Sequence, residues 1–134
     1  NDLDMFGEMR SCALLAKGVA QRADAAPAAT VLGMATLNGA KALGLGDRIG
    51  SLVTGKEADV ICVDLSAAAT QPVYDPVSQL VYATSRDQVS DVWVAGRQLL
   101  ADRQPLMADA PAILARAESW RARLSAARGS VAHD

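Results

Sequence analysis

The sequence has 134 residues, of which 51% are hydrophobic and 21% charged, so it suits one globular domain with a buried core. Its formal net charge of −2 provides no broad basic surface, and we expect neither nucleic acid nor a membrane as partner. No apolar run reaches the roughly 18 residues that a membrane-spanning helix needs.

The first predicted element is a helix over residues 5–20. Apolar residues recur there at spacings of three and four positions, which is typical of a helix that buries one face. Asp2 or Asp4 is expected to cap it, because a carboxylate can accept a hydrogen bond from a free backbone N–H of the first turn.

Two further helices are predicted before the pattern changes. Pro27 suits the first turn of a second helix, which continues over residues 28–35. Thr36 is expected to cap a short third helix over residues 37–43. Gly44 is expected to end that helix in the left-handed conformation.

Short β-strands are predicted after the helices. A β-branched run at residues 60–63 reads as a strand buried on both faces, and residues 80–83 read as either a strand or a turn of helix. Alternation over residues 89–95 predicts another strand. A tight turn at residues 96–97 and a returning arm at residues 98–100 complete a hairpin.

The alternation also predicts which strand residues are buried. Val60, Cys62, Val92 and Val94 are expected in the core of the β-rich part, with Trp93 on the opposite side of its strand. A carboxylate placed at Val94 is therefore expected to be very destabilising.

The two cysteines are interpreted as free thiols in the core. Cys12 and Cys62 lie far apart in the sequence, each within an apolar run, and unpaired cysteine behaves as a small hydrophobic residue. Free thiols favour a reducing compartment, so a cytoplasmic location is expected.

The last predicted element is a helix over residues 110–127. An apolar stripe on it contains Trp120, which is expected to pack in a core, as is Trp93, and not to stack on a base. Several arginines cover the far side and the C-terminal end. We interpret them as a solvated helix face and not as a nucleic-acid surface.

Catalytic and metal-binding patterns are scarce. The one histidine, His133, lies in the terminal tail and reads as a solvated side chain, and no pair of histidines or cysteines has metal-ligand spacing. The serines lack a general base in the body of the chain. The glycine-rich residues 50–56 loosely resemble a phosphate-binding loop, but a strand follows instead of a helix, and Lys56 is interpreted as a surface residue.

Three motifs in order carry a family resemblance. Residues 49–64, IGSLVTGKEADVICVD, resemble the segment by which enzymes of the amidohydrolase superfamily enter their small β-domain. Residues 35–45, ATLNGAKALGL, resemble the helix that closes the barrel of that family. Residues 92–97, VWVAGR, resemble its final hairpin.

Two other segments resemble one branch of the superfamily. Residues 1–10, NDLDMFGEMR, and residues 71–82, QPVYDPVSQLVY, are similar to the deaminases that include 5-methylthioadenosine/S-adenosylhomocysteine deaminase and to their chlorohydrolase relatives. Gly50 and Gly55 are then expected to be turn residues. Asp59 is expected to fix the turn into the strand by accepting backbone N–H bonds.

The resemblance implies an α/β fold, with this chain as a fragment of it. Residues 1–46 would be the last helices of a (β/α)8 metal-dependent hydrolase barrel, residues 47–104 its small β-sandwich domain, and residues 105–134 a C-terminal helix and tail. In the family, zinc or iron held by histidines and an aspartate supplies a hydroxide that displaces ammonia from a ring carbon. None of those ligands, nor the general acid, has a counterpart here. Only Asn1 matches a position at the rim of the family's site.

The implied function is that of a C-terminal fragment of a hydrolytic deaminase. Its substrate would be a small purine nucleoside such as 5-methylthioadenosine or S-adenosylhomocysteine. No residue of this chain is expected to be catalytic or to bind a metal. The first residue, Asn1, is not a methionine and leads almost at once into a helix, which suggests a longer parent chain.

The alternative is a stand-alone structural or binding module with the same β-domain fold. An initiator methionine and an N-terminal cap would favour that alternative. For the fragment we expect a homo-oligomer, because the first helices would leave apolar faces uncovered.

Overall fold

The computed structural model describes the backbone of residues 3–131 and the side chains of residues 3–127. Helices and one sheet alternate along the chain, so the fold is mixed. The helices are α1 (Met5–Ala20), α2 (Ala28–Gly33), α3 (Gly39–Ala42), α4 (Pro76–Tyr82) and α5 (Ala110–Val131). The strands are β1 (Val60–Val63), β2 (Val89–Val94), β3 (Arg97–Ala101) and β4 (Gln104–Pro105).

Helix α1 has the predicted bounds. The Asp4 carboxylate accepts a hydrogen bond from the Phe6 amide at 3.0 Å and caps the helix, whereas Asp2 lies outside the described residues. Phe6, Met9 and Ala13 recur on one face and are buried. The predicted spacing of apolar residues therefore identifies the face of α1 that packs in the core.

The second and third predicted helices are one continuous helical run. A π-helical segment, Met34–Asn38, joins α2 to α3 without a break. The prediction that Thr36 caps a separate helix is wrong, because its hydroxyl donates to the Leu32 carbonyl one turn earlier, at 2.7 Å. The run ends as predicted, with Gly44 in the left-handed region at φ 72°.

The core lies where α1, α2 and α4 meet. Val31 of α2 and Val81 of α4 are fully buried against the buried face of α1. Residues 80–83, which the sequence left open between strand and helix, lie at the end of α4. Asp75 caps this helix by accepting from the Val77 amide at 3.1 Å, and Pro76 occupies its first turn.

The sheet is antiparallel, with strand order β1-β2-β3-β4. Ile61 lies opposite Val92 in the β1–β2 pair, and the register shifts after Cys62. The β2–β3 turn consists of Ala95 and Gly96, both with positive φ (49° and 78°), as two-residue hairpin turns favour. The predicted turn at residues 96–97 is therefore displaced by one residue.

The predicted burial of the strands is wrong in part. Cys62 is exposed and Val94 is 46% exposed, while Val60 and Val92 are half-buried. Strand β1 is not buried on both faces either, since Ile61 is 51% exposed. Ile61 and Cys62 are consecutive and point to opposite faces of β1, so the described chain leaves part of each face uncovered.

The final helix α5 stands apart from the rest of the fold. Every described side chain of this helix is exposed. The prediction that Trp120 packs in a core is wrong, because it is 54% exposed and its ring stacks against the Arg123 guanidinium, 4.4 Å from the ring centre. Trp93 is half-buried. In the part of the chain that the structure covers, no helix has both the length and the apolar character to cross a bilayer.

Candidate functional site

An apolar groove runs between the helices and the entry to the sheet. Its volume is about 1000 Å³, and it is lined mainly by hydrophobic side chains, among them Met5, Met9, Val31, Leu43, Ile49 and Ile61. Met5, Leu43 and Ile61 are each more than half exposed. The groove therefore presents uncovered apolar surface, which is typical of a surface that another part of a protein contacts.

Gly50 brings the loop against the helix that forms one wall of the groove. Its φ of 85° lies in the left-handed region, and a Cβ there would stand 2.7 Å from the Ala40 Cβ and 3.0 Å from the Leu37 Cα. Gly55 also has a positive φ, 96°. Both residues are therefore turn residues, as predicted, and only Gly50 also needs the absence of a side chain.

Lys56 holds the same loop from inside. Its ammonium group donates to the carbonyl oxygens of Gly46 and Ile49, the latter at 3.2 Å. The interpretation of Lys56 as a surface residue is therefore wrong, since it is half-buried. A lysine ammonium has three donors and can satisfy both carbonyl groups at once.

Asp59 connects the start of β1 to the hairpin between β2 and β3. Its carboxylate accepts a hydrogen bond from the Ala95 amide at 2.7 Å, and the Gly96 amide donates to the Ala58 carbonyl at 3.0 Å. Asp59 accepts a backbone N–H bond, as predicted, but the prediction that this bond fixes the turn into β1 is wrong. The donor lies 36 residues away and not in the adjacent turn.

A second polar cluster surrounds Asp64 at the other end of β1. Its carboxylate accepts from the Ser66 amide at 2.9 Å and from the Arg103 guanidinium at 2.8 Å. The bonds from Ser66, then the bond from Arg103, lower the pKa of Asp64 from 3.8 to about 2. These contacts join the β1 end to the β3–β4 turn, where Asp102 and Arg103 both have positive φ.

We expect the Asp64 cluster to stabilise the fold at neutral pH and to lose that effect in acid. The pKa of Asp64 is lowered to about 2 in the folded chain, so the stabilisation is full above the unfolded value of about 3.9 and disappears as the pH falls through the folded value. Asp64→Asn should lower the urea midpoint at pH 7 and flatten its decline between about pH 4 and pH 2. Asp47→Asn, at an exposed carboxylate, is the control; equal pH profiles for the two variants would contradict the assignment.

The described residues do not provide a metal centre. Within residues 3–127, no three histidine, cysteine, aspartate or glutamate side chains come together as a ligand group. Asn1 and His133, the predicted rim residue and the tail histidine, lie outside the described residues. The charged side chains that line the groove are Glu8 and Asp59, and two carboxylates do not complete a zinc site.

One contact that the sequence did not reveal ties α1 to the end of α4. The Arg10 guanidinium donates to the Thr84 carbonyl at 2.7 Å, across 74 positions of sequence, and the Arg10 Nε is buried without a partner among the described atoms. Thr84 is fully buried and donates to the Gln79 carbonyl at 3.0 Å. No local pattern marks such a pair, because its two residues meet only in the folded chain.

The fold is similar to that of solved zinc-containing hydrolases. An adenosine deaminase from Xanthomonas campestris, solved with bound zinc, is 53% identical with a TM-score of 0.90, over 91% of this chain and 28% of that chain. Atrazine chlorohydrolase from Arthrobacter aurescens TC1, complexed with zinc, is 30% identical with a TM-score of 0.78, over 85% of this chain and 25% of that chain. In each of these larger proteins, one segment therefore has helices and strands arranged as in this chain.

Sequence relatives point in the same direction. The 5-methylthioadenosine/S-adenosylhomocysteine deaminase of Teredinibacter turnerae is 49% identical over 128 residues, which are 96% of this chain and 29% of the relative. The deaminase of the same name from Saccharophagus degradans is 43% identical over 130 residues, 97% of this chain and 29% of the relative. The chain thus spans less than a third of the length of these relatives.

The family profile covers most of the chain. The profile of the amidohydrolase family matches residues 1–99, a range that includes all three motifs on which the resemblance depended. The resemblance to this superfamily and to its deaminase and chlorohydrolase branch is confirmed. The chain belongs to the amidohydrolase family.

Proposed function

We propose that the chain is the C-terminal portion of a hydrolytic deaminase that acts on an adenine nucleoside such as 5-methylthioadenosine or S-adenosylhomocysteine. The observation that carries the proposal is the match to the Xanthomonas campestris adenosine deaminase, at 53% identity and a TM-score of 0.90. Residues 1–46 would close a (β/α)8 barrel, residues 47–104 would belong to a small β-sandwich domain, and residues 105–134 would form a C-terminal helix and tail.

The reacting groups would come from the portion that precedes this segment in the relatives. The described residues do not fit a zinc or iron ion, because no ligand group forms among them. No chemical step is therefore assigned to this chain. Its contribution is structural, with Asn1 proposed at the rim of the substrate site. Both cysteines are free, which agrees with a cytoplasmic enzyme.

The apolar groove supports this division of roles, in which the preceding portion carries the reacting groups and this chain has a structural role. Its exposed apolar residues, including Met5 and Leu43, would be covered by apolar side chains of the preceding portion. Strand β1 is an edge strand, paired only with β2 among the described strands, so its outer edge is available to a further strand. We propose that the chain on its own self-associates through these surfaces, giving a homo-oligomer.

A fusion protein tests the proposed function. The part of the Xanthomonas campestris deaminase that precedes the matched segment would be joined to residues 1–134. We expect the fusion to bind zinc, measured by elemental analysis, and to release ammonia from 5-methylthioadenosine, followed by the change in purine absorbance. The 134-residue chain alone is expected to do neither.

Three outcomes would count against the proposal in different ways. Turnover by the 134-residue chain alone would overturn the division of roles. A zinc-loaded fusion that acts on triazines or guanine but not on adenine nucleosides would refute the substrate class. A folded fusion without zinc or any hydrolytic activity would refute the deaminase function.

A further inference from the structure

Helix α5 presents an apolar stripe with no partner in the described chain. Ile113, Trp120 and Leu124 are 53%, 54% and 62% exposed. Together with Ala117 they follow one another at spacings of four, three and four residues. This spacing places the four side chains along one line of the helix, in the pattern by which helices pack on another apolar surface.

At least part of α5 has a counterpart in a larger solved protein. The match to the Xanthomonas campestris deaminase covers 91% of this chain, and the remaining 9% is shorter than the 22 residues of α5. At least part of α5 therefore lies within the match. Only 28% of that protein corresponds to this chain, so the surface facing α5 can come from the rest of its polypeptide.

The charges beside the stripe disfavour pairing between two copies of α5. The prediction that the arginines cover the far side of α5 is wrong for three of them. Arg116 and Arg123 lie along one side of the stripe, and Arg121 lies along the other. In an antiparallel pair of such helices, Arg116 and Arg123 of one copy would face the same arginines of the other, and like charges there oppose association. In a parallel pair they would face Arg121, which is already ion-paired with Glu118. The charges are better matched by an apolar surface with acidic residues around it.

We propose that the apolar stripe of α5 is a docking surface for the preceding portion of the amidohydrolase polypeptide, and that it helps to hold the two portions together. This inference rests on the proposed function, since it assumes that such a portion is present. Trp120 lies near the middle of the stripe and is the central contact. Arg121 and Arg123, which contact Glu118 and Trp120 within the helix, lie beside the docking surface.

Two substitutions in the same helix test the docking surface. Trp120→Asp places a charge in the stripe, and Ala122→Asp places the same charge on the opposite side of α5, where the residue is also exposed. In the 134-residue chain alone, neither should shift the thermal midpoint appreciably, because neither side chain is buried. In the fusion protein, Trp120→Asp should lower the midpoint by about 5 °C relative to Ala122→Asp.

This experiment tests the docking surface and the enzymatic function separately. A selective effect of Trp120→Asp in a folded fusion that has no deaminase activity would support the docking surface while the proposed function fails. Equal midpoints for the two variants in an active fusion would overturn the docking surface alone. A dimeric 134-residue chain that Trp120→Asp converts to a monomer would also overturn it, because the partner would then be a second copy.

A second measurement applies if the fusion is insoluble. The Xanthomonas campestris portion would then be co-expressed with the 134-residue chain as a separate polypeptide. We expect the unsubstituted chain and Ala122→Asp to co-purify with it, and Trp120→Asp to be lost. Failure of the unsubstituted chain to co-purify, or retention of all three chains, would overturn the docking surface.

Discussion

A chain that carries Val81→Asp is expected to be unfolded at neutral pH and 25 °C. Val81 has no exposed surface and lies where α4 packs on α1 and α2. The cations of α1 at this end of α4, Arg10 and Lys17, already contact the Thr84 carbonyl and the Tyr82 ring. Burial of an unpaired charge costs more than about 4 kcal/mol in the most damaging substitutions. That loss is comparable with the whole stability of a small domain, about 5–15 kcal/mol.

The control for this variant is Val94→Asp, which the sequence predicted to be the damaging one. Val94 is 46% exposed at the end of β2, so a carboxylate there keeps contact with water. We expect the free energy of unfolding to change by no more than about 1 kcal/mol. Far-ultraviolet circular dichroism and urea denaturation of both variants decide the matter; a folded Val81→Asp chain would contradict the core described here.

The second large effect is expected for Gly50→Ala. The φ of Gly50 is 85°, and the new Cβ would stand 2.7 Å from the Ala40 Cβ and 3.1 Å from the Thr36 carbonyl oxygen. The left-handed conformation costs a residue with a side chain about 1–2 kcal/mol. Overpacking against the helix adds about 1–3 kcal/mol, so the loop and the helix must separate.

Gly55→Ala isolates the steric part of that effect. Gly55 has a similar positive φ, 96°, but a Cβ there would meet nothing within 4 Å. Gly55→Ala should therefore lower the free energy of unfolding only by the cost of the left-handed conformation, about 1–2 kcal/mol. Urea midpoints of the two variants give the comparison, and equal losses would show that the loop does not press against the helix at Gly50.

Local signals in the sequence were sufficient for several elements. The period of apolar residues and the Asp4 cap predicted α1 with its observed bounds, and the β-branched run predicted β1. Gly44 was predicted as the left-handed end of a helix and has the φ of one. Each of these features depends on residues within about one or two turns of helix or one strand, which is why a single sequence can reveal them.

Features that depend on distant residues were predicted poorly. Lys56 was expected on the surface because nothing near it in sequence marks the carbonyl groups that it contacts. Cys62 and Val94 were expected in a core because alternation indicates which side of a strand is apolar, but not whether another layer covers it. Thr36 was expected to cap a helix, because a threonine has the same local pattern whether it begins a helix or lies within one.

The candidate site shows a similar division. Three motifs in order, at residues 35–45, 49–64 and 92–97, were sufficient to indicate the family, because each is a short local pattern. The apolar groove was not predicted, since its walls come from α1, α2, α3 and β1, which are distant in sequence. The rim position of Asn1 stays a prediction.

Helix α4 has a consequence for how such chains can recombine in evolution. It is inserted between β1 and β2, yet its buried residue, Val81, packs with the helices at the start of the chain. Arg10 of α1 also bonds to Thr84, which lies between α4 and β2. If gene segments were exchanged at a point between α3 and β1, α1 and α2 would come from one parent and α4 from the other. The core between these helices would then combine residues of both parents. Such an exchange would be tolerated only when both parents carry compatible residues at this junction.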